Sequence, residues 1–539
     1  MAKHETSELD TLKPLSELPP GAAAAVLALP LYLQIALRYA HIIASGTLQA
    51  GQRLPSVRDA AAQSNVSVST VVQALATLEE HRLVQPRAKS GYFVATASRA
   101  KAAALVRKIR QQPEPAKPVA APALDSHSAV QASTQLIAEA SQSPVSFAGY
   151  SPKDKDFFDA DRLRVALSRA TRLKRSTLTE YSSSAGTLAL RQAVALRALH
   201  LGCALRAEDI VITSGCINAV ALCLQTVTQP GDMVAIESPT FFGFLDLLES
   251  LNLKAIALPT DARTGVSLPA LQLALDTQPI KALLLVPTLA NPLASVMPLT
   301  QKRALARLVA QYQVPLIEDV VFNDLLATDA RRRAVKAYDS EGWVMTCGSF
   351  AKTVSPGIRL GWVEAGRWSK QVATLKRVQG ASTNAVLEHA LADLLTQGSY
   401  EAHLRRLCLL MKQRLGQARK MILSAFPAGT RVNEPPAGYT LWVELPAVVD
   451  TMVLFNLCKA QGITVGPGQL FCASHRYRHC LRLSFAGLWG ATEQAALLQV
   501  GRLAVQLLEE GRVDANAGAL QASRRDFMCV NDVSAYDLW

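Results

Sequence analysis

Cys347-Gly348-Ser349-Phe350-Ala351-Lys352-Thr353-Val354-Ser355-Pro356-Gly357-Ile358-Arg359-Leu360-Gly361-Trp362 is the stretch around which the chain is organised. The apolar run from Trp343 to Cys347 predicts a buried strand ended by Gly348. A single lysine, Lys352, then stands in a turn of small residues, with Arg359 seven positions on. A lysine amine that sheds its proton, through burial or nearby cations, can condense with an aldehyde. An arginine can hold a dianionic phosphate through its planar fork. Together the two ask for a phosphorylated aldehyde. Read alone, Lys352 has a plainer use as a solvated residue of a surface turn.

The 539 residues are too many for one core and suggest two or three domains. Half of them are hydrophobic and 18% are charged, an ordinary globular balance. The net charge of +13 favours polyanionic partners. The excess is local. Between Leu31 and Arg110 there are 11 lysines and arginines against three acids, Asp59, Glu79 and Glu80. The nine cysteines form no CxxC pair and no zinc spacing, which suggests reduced thiols in the cytoplasm and no metal site. The first twenty residues are acidic and polar, unlike a signal peptide. No apolar run is long enough to span a bilayer, so no membrane partner is expected.

After a loose arm at residues 1–28, apolar positions at Tyr32, Ile35, Ala36, Tyr39, Ile42 and Ile43 predict one helix face. Ser56 and Asp59 have the spacing of a capping box and start a second helix. Ser67 caps a third, whose inward stripe is Val71, Ala74, Leu75 and Leu78. Leu83 to Val94 predicts a hairpin with Lys89-Ser90-Gly91 near its tip. Two short helices with a tight turn, then a basic hairpin, make a winged helix-turn-helix over residues 29–96. Ser67, Ser69, Thr70 and Gln73 are short hydrogen-bonding side chains suited to phosphates and base edges. Arg53, Ser56, Arg58 and Lys89 complete the candidate DNA contacts, and Gly91 would let the hairpin tip approach a backbone closely. A three-helix module that binds protein remains the alternative. Gly51, Arg53 to Arg58, Val66 to Val71 and Ser90 to Val94 resemble the GntR family of bacterial regulators. Val68 departs from that pattern, where arginine or lysine is usual.

Residues 97–145 are rich in Ala, Pro, Ser and Gln and predict a linker. Beyond Ser146, helical and strand-like segments alternate. The expected strands are Ile210–Thr213, Met233–Ile236, Ala255–Leu258, Ala282–Val286, Pro315–Ile317, Trp343–Thr346 and Leu360–Val363. That alternation predicts an α/β domain with a mostly parallel sheet covered on both faces. Ligands in such sheets bind at the carboxyl ends of strands. Ser214-Gly215-Cys216-Ile217 follows the first strand and opens a helix, Phe241 and Asn291 follow later ones, and Asp319 ends the fifth. Taken singly, Phe241 is more often a core residue, and Asp319 serves equally as a helix cap. Residues 401–505 predict a small α+β domain within a unit spanning 146–505, and 506–539 form a tail of no assigned role.

The ordered series Tyr181, Ser214-Gly215, Phe241, Asn291-Pro292, Asp319, Ser349, Lys352, Arg359 and Arg482 resembles the fold-type-I aminotransferases. The resemblance implies pyridoxal 5'-phosphate as cofactor. Lys352 would carry it, Asp319 would pair with the ring nitrogen, Asn291 with the ring hydroxyl, and Phe241 would stack on the ring. Gly215, Cys216, Ile217, Ser349 and Arg359 would hold the phosphate, Tyr181 would reach a neighbouring subunit's phosphate, and Arg482 would take a substrate carboxylate. Lys352 and Asp319 are the catalytic candidates. A winged helix joined to such a domain resembles the MocR subfamily of GntR regulators. That implies a head-to-tail homodimer that binds double-stranded operator DNA and senses the cofactor, an amino acid or an amine. The rivals are a working aminotransferase, with Lys352 as general base, and a DNA binder with a degenerate large domain.

Phe322 stands where the aminotransferases usually carry a tyrosine that donates to the ring oxygen, and Ala351 and Leu293-Ala294 also depart from their pattern. Without that donor the ring oxygen keeps more negative charge beside the lysine nitrogen. A pH titration of the visible band should therefore show the Lys352 linkage protonated to higher pH than in relatives with tyrosine. A fully deprotonated linkage at neutral pH would count against this.

Overall fold

The computed structural model describes residues 31–45, 48–64, 66, 68–87, 91–96, 101–102, 136, 138, 140, 142–149, 157, 160–326, 329–397, 399–472 and 475–528. The arm at 1–28, most of the linker, Ser67, Lys89 and residues 529–539 lie outside these, as do the side chain of Ser69 and the side chains of 511–528. The chain divides into two compact units.

The first unit opens with α1 (Leu31–Ser45), α2 (Val57–Ser64) and α3 (Val68–Glu80), followed by β1 (Val84–Arg87) and β2 (Gly91–Val94). The Ser56 hydroxyl donates to the Asp59 carboxylate at 2.6 Å and accepts the Asp59 N–H at 3.2 Å, so the N-cap half of the capping box forms. Ile35, Tyr39 and Ile43 of α1 meet Val71, Ala74, Leu75 and Leu78 of α3 in one buried cluster with Tyr92 and Val94 of the wing. β1 and β2 pair antiparallel from Val84↔Val94 to Arg87↔Gly91. The chain before α2 extends this hairpin. Arg53 bridges Phe93, and the Leu54 N–H donates to the Tyr92 carbonyl at 2.9 Å. Val68 is half-buried against the cluster, which accounts for an apolar residue there.

The second unit holds β3 (Val145–Ser146), α4 (Ala160–Leu173), α5 (Leu188–Ala198), β4 (Ile210–Thr213), α6 (Cys216–Val227), β5 (Met233–Ser238), α7 (Phe242–Ser250), β6 (Lys254–Asp261) and β7 (Gly265–Val266). After α8 (Leu268–Thr277), which clusters outside this unit, come β8 (Ile280–Leu285), α9 (Leu299–Tyr312), β9 (Leu316–Asp319), β10 (Val344–Ser349), β11 (Gly361–Glu364), α10 (Ser369–Gly380) and α11 (Ala385–Thr396). The eight-stranded sheet runs β4-β11-β10-β9-β8-β5-β6-β7. The β6-β5-β8-β9-β10 pairs are parallel. β11 runs antiparallel to both β10 and β4, so the strand expected at Leu360–Val363 returns against its neighbours. Helices cover both faces because successive strand residues point opposite ways. Val211 and Val363 join one core with α6, α7 and α10, while Ile212 and Trp362 join the other with α5 and α11.

α12 (Ser399–Ala425) leads into the smaller domain, with β12 (Arg431–Val432), β13 (Thr440–Glu444), α13 (Thr451–Lys459), β14 (Ile463–Thr464), β15 (Gly466–Pro467), β16 (Cys480–Ser484) and α14 (Ala491–Met528). The four-stranded sheet runs β12-β13-β16-β15 and is antiparallel. β3 pairs in parallel with β14, so the strand at Val145–Ser146 belongs to the small domain and not to the large sheet. α14 continues without a break through residue 505 to Met528.

Candidate functional site

The site is built at the carboxyl ends of β4, β5, β9 and β10. Gly215, with φ +110°, turns the chain from β4 into α6. Arg359 sits in the left-handed region, and its Nη2 donates to the Ser214 carbonyl at 3.3 Å. A Cβ on Gly215 would stand 3.2 Å from that Nη2, and one on Gly361 would stand 2.5 Å from the Gly215 carbonyl carbon. Only glycine at both positions lets β11 bring the guanidinium to the first turn of α6. There, free amide N–H groups and a cation face the same space, the arrangement an anion requires. Cys216 is half-buried and Ile217 exposed at that turn. Ser349 does other work in this structure. Its hydroxyl donates to the Leu360 carbonyl at 3.2 Å and accepts the Ala351 N–H at 3.1 Å, bracing the lysine loop.

Lys352 is 9% exposed. Burial, then the charge of Arg482, with Arg359 adding to it, pushes its amine down to about 7, against the pull of Asp319. Asp319 ends β9, is 7% exposed and accepts the Val321 N–H at 2.8 Å. Burial lifts its carboxyl to about 6, opposed by that N–H, by the Cys216 thiol that hydrogen-bonds it, and by Lys352. The sequence offered the Cys216 backbone for a phosphate; the structure adds its thiol as a partner of Asp319. Behind them lies Glu237, to which the sequence reading gave no role. It accepts the Val286 N–H at 3.0 Å through Oε2, while its buried Oε1 meets no protein partner. Burial lifts it to about 8, and the Asp319 charge adds to the rise.

A small cleft is lined by Asn291, Phe322, Tyr439 and Ser484, among others. Asn291 is 9% exposed, and its Oδ1 is buried without a protein partner. Phe322 meets Tyr439 edge to face at 6.3 Å, filling the place of the expected tyrosine with an apolar ring. Phe241 is half-buried and held by Phe242 at 4.9 Å and Phe244 at 5.5 Å. Arg482 lies wholly buried on β16. Its guanidinium donates to the Ala148 carbonyl and stands 5.3 Å from the Phe471 ring. Tyr181 is 95% exposed, so within one chain it joins no site.

On the winged unit, Arg53, Ser56 and Arg58 are exposed and Thr70 and Gln73 half-buried. Gly91 has φ +91°, and a side chain there would meet the Arg53 guanidinium, 3.5 Å away. The 3.5 Å approach is an ordinary contact, so the left-handed backbone is the local reason for a glycine at the hairpin tip. Arg87 lies 4.4 Å over the Phe93 ring. Among the described residues there is no group of acids, histidines or cysteines able to hold a metal, and no helix long and apolar enough to cross a membrane.

The large unit therefore has the fold of an aminotransferase, with a depressed lysine, a buried carboxylate, an unsatisfied asparagine and an anion cradle gathered at its strand ends. The profile of aminotransferase class I and II matches residues 151–497, and that of the bacterial regulatory proteins of the gntR family matches 31–94. The uncharacterised HTH-type transcriptional regulator YjiR of Escherichia coli is 35% identical over 481 residues, 89% of this chain and 99% of the relative. YdcR of the same organism is 35% identical over 476 residues, 88% of this chain and 98% of the relative. Among solved structures, the alpha-aminoadipate aminotransferase LysN of Thermus thermophilus, complexed with N-(5'-phosphopyridoxyl)-L-leucine, aligns at TM-score 0.64 and 25% identity over 69% of this chain and 95% of that one. The multiple substrate aminotransferase of Thermococcus profundus, at TM-score 0.65 and 21% identity over 70% of this chain and 95% of that one, shows the fold alone. The chain belongs to the GntR-type regulators that carry an aminotransferase class I and II domain.

The buried amine has a measurable cost. Below pH 7 both folded and unfolded chains hold the Lys352 proton, and the full penalty acts on the fold. Between about 7 and the ordinary lysine range the folded chain releases it first, so the penalty shrinks as pH rises. Lys352→Met should therefore stabilise the cofactor-free protein at pH 6, on the order of 2–4 kcal/mol. The gain should narrow towards pH 10. Thermal unfolding at both pH values checks this, and a gain that stays constant with pH contradicts it.

Proposed function

We propose that the chain is a DNA-binding transcriptional regulator whose aminotransferase-like domain binds pyridoxal phosphate and senses it together with an amino acid or amine. The observation that carries this is Lys352, buried and depressed to about 7 beside the Arg359 cradle, in a chain that also has a winged helix-turn-helix. When bound, pyridoxal phosphate supplies an aldehyde carbon that accepts primary amines and a ring that withdraws electrons.

The chain's own groups do the rest. The Gly215, Cys216 and Ile217 amides and the Arg359 guanidinium hold the phosphate. Asp319 stands as the counter-charge for a protonated ring nitrogen. The Asn291 side-chain N–H donates to the ring oxygen, and its buried Oδ1, without a protein partner, marks this amide as open to a ligand. Phe241 covers one ring face. Lys352, neutral in a large fraction of molecules near pH 7, presents a nucleophilic amine, and Arg482 draws the carboxylate of an incoming amino acid. Arg53 and Arg58 grip operator phosphates, and the Thr70 and Gln73 face of α3 reads the groove. A ligand changes DNA affinity only through unequal affinity for two arrangements of the protein.

A second copy of the chain completes the molecule as a head-to-tail dimer. Val165, Leu173, Leu178 and Tyr181 are exposed along one segment at 56%, 62%, 60% and 95%, an apolar surface suited to a partner subunit. A regulator of operator DNA works in the cytoplasm.

Lys352→Ala should abolish the visible band formed with added pyridoxal phosphate and its change on adding amino acids, while a DNA footprint at unchanged protein concentration persists. Retention of the band in that variant overturns the assignment of Lys352. Steady-state transamination of roughly 1 s⁻¹ or faster would make the wild-type protein an enzyme first.

A further inference from the structure

Lys352 and Thr353 are gripped by side chains from elements that reach the small domain. The Lys352 carbonyl accepts the hydroxyl of Tyr439, the residue preceding β13. The Thr353 hydroxyl accepts that of Tyr400 at 2.8 Å. The Thr353 carbonyl accepts from His403 Nε2 at 2.8 Å, which places the imidazole proton on that nitrogen. Tyr400 and His403 belong to the first turns of α12. Tyr400 and Thr353 are 4% and 1% exposed, so neither hydroxyl has water to fall back on.

The grip is itself anchored. Arg197 donates to Asp324 at 3.0 Å and to Glu401 at 2.7 Å, and its guanidinium lies 4.4 Å over the Tyr400 ring. α12 then crosses between cores. Tyr400 and Leu404 belong to the large-domain cluster, whereas Leu407, Met411, Leu415 and Ile422 belong to that of the small domain. A shift of backbone at 352–353 must draw the start of α12 with it or leave buried hydroxyls unpaired, which is costly.

We infer that Tyr400 and His403 tie the backbone carrying Lys352, itself held by Tyr439, to the start of α12 and pass the state of its site to that helix and on to the small domain. This rests on the proposal that Lys352 is the cofactor lysine. Ligand stabilisation spreads through a cooperative unit, so it should appear in α12 as slower amide exchange.

The test is hydrogen–deuterium exchange on the full-length protein with and without saturating pyridoxal phosphate, with the visible band read in parallel. In the wild type, peptides covering 347–362 and 399–411 should both slow, by about 10-fold or more, since exchange tracks local opening free energy. In Tyr400→Phe combined with His403→Ala, the band and the slowing at 347–362 should remain, while slowing at 399–411 falls below about 2-fold. Tyr400→Phe alone, which keeps the ring against Arg197, should give an intermediate loss and stands in should the double variant not fold. Slowing at 399–411 that survives in these variants, or is missing from a wild type that forms the band, overturns the inference. A wild type that forms no band removes the cofactor assignment itself and the inference with it.

Discussion

A lysine amine held out of water between two guanidinium groups is the constraint on which the rest of this structure depends. Lys352 feels Arg482 and Arg359 as like charges and Asp319 as its main opposing one. Left exposed, such an amine would stay protonated at neutral pH and be useless as a nucleophile. The fold supplies the unfavourable setting. The Lys352 carbonyl is pinned by Tyr439 of the small domain, its neighbour Thr353 by Tyr400 of α12, and the loop before them is braced by Ser349. The large sheet, buried on both faces, provides the stability against which such strain can be held.

The same economy governs the acidic side. Asp319, Glu237 and the Cys216 thiol lie together beneath the site, and burial raises each of them. Asp319 alone has two donors, its own turn N–H and the thiol, so it is the group best able to keep a negative charge there. Glu237, with one N–H and an unsatisfied oxygen, is the better resting place for a proton. Two carboxyl groups at the ends of strands flanking β8 are thus set apart in character by their hydrogen bonds.

Local signals made much of this legible in the sequence. The Ser56–Asp59 capping box, the α3 stripe and the buried strand runs depend on residues a few positions apart, and the structure shows each of them. The direction of β11 was not readable, because an apolar run carries no sign of whether its neighbour is parallel. Pairing of Val145–Ser146 with Ile463–Thr464, or of Arg53 with Phe93, likewise leaves no local mark. At the site, residue types at strand ends were visible, but their partners were not. The thiol on Asp319, the open oxygen of Glu237 and the Tyr400–Thr353 bond join segments far apart in the chain. The Ser349 hydroxyl, read as a phosphate group from its place in the loop, also braces that loop through Leu360 and Ala351, a partnership no local pattern announces.

The winged unit has a core of its own, from Ile35 through Val94, so its surface can survive changes at Lys352. Within the second unit, position and charge at that lysine come from one source. Tyr439, which holds the Lys352 carbonyl, leads into β13, and β13 pairs with β16 at Trp442↔Arg482. Arg482 is in turn the largest charge acting on the amine. A displacement of this strand pair would therefore move the lysine backbone and weaken the field on its proton together. An amine that regains its proton is a poorer nucleophile, so in the sensor proposed above a small-domain shift and a change in occupancy at Lys352 would drive one another. Two states related in that way are what a sensor needs, since each ligand then has unequal affinity for them.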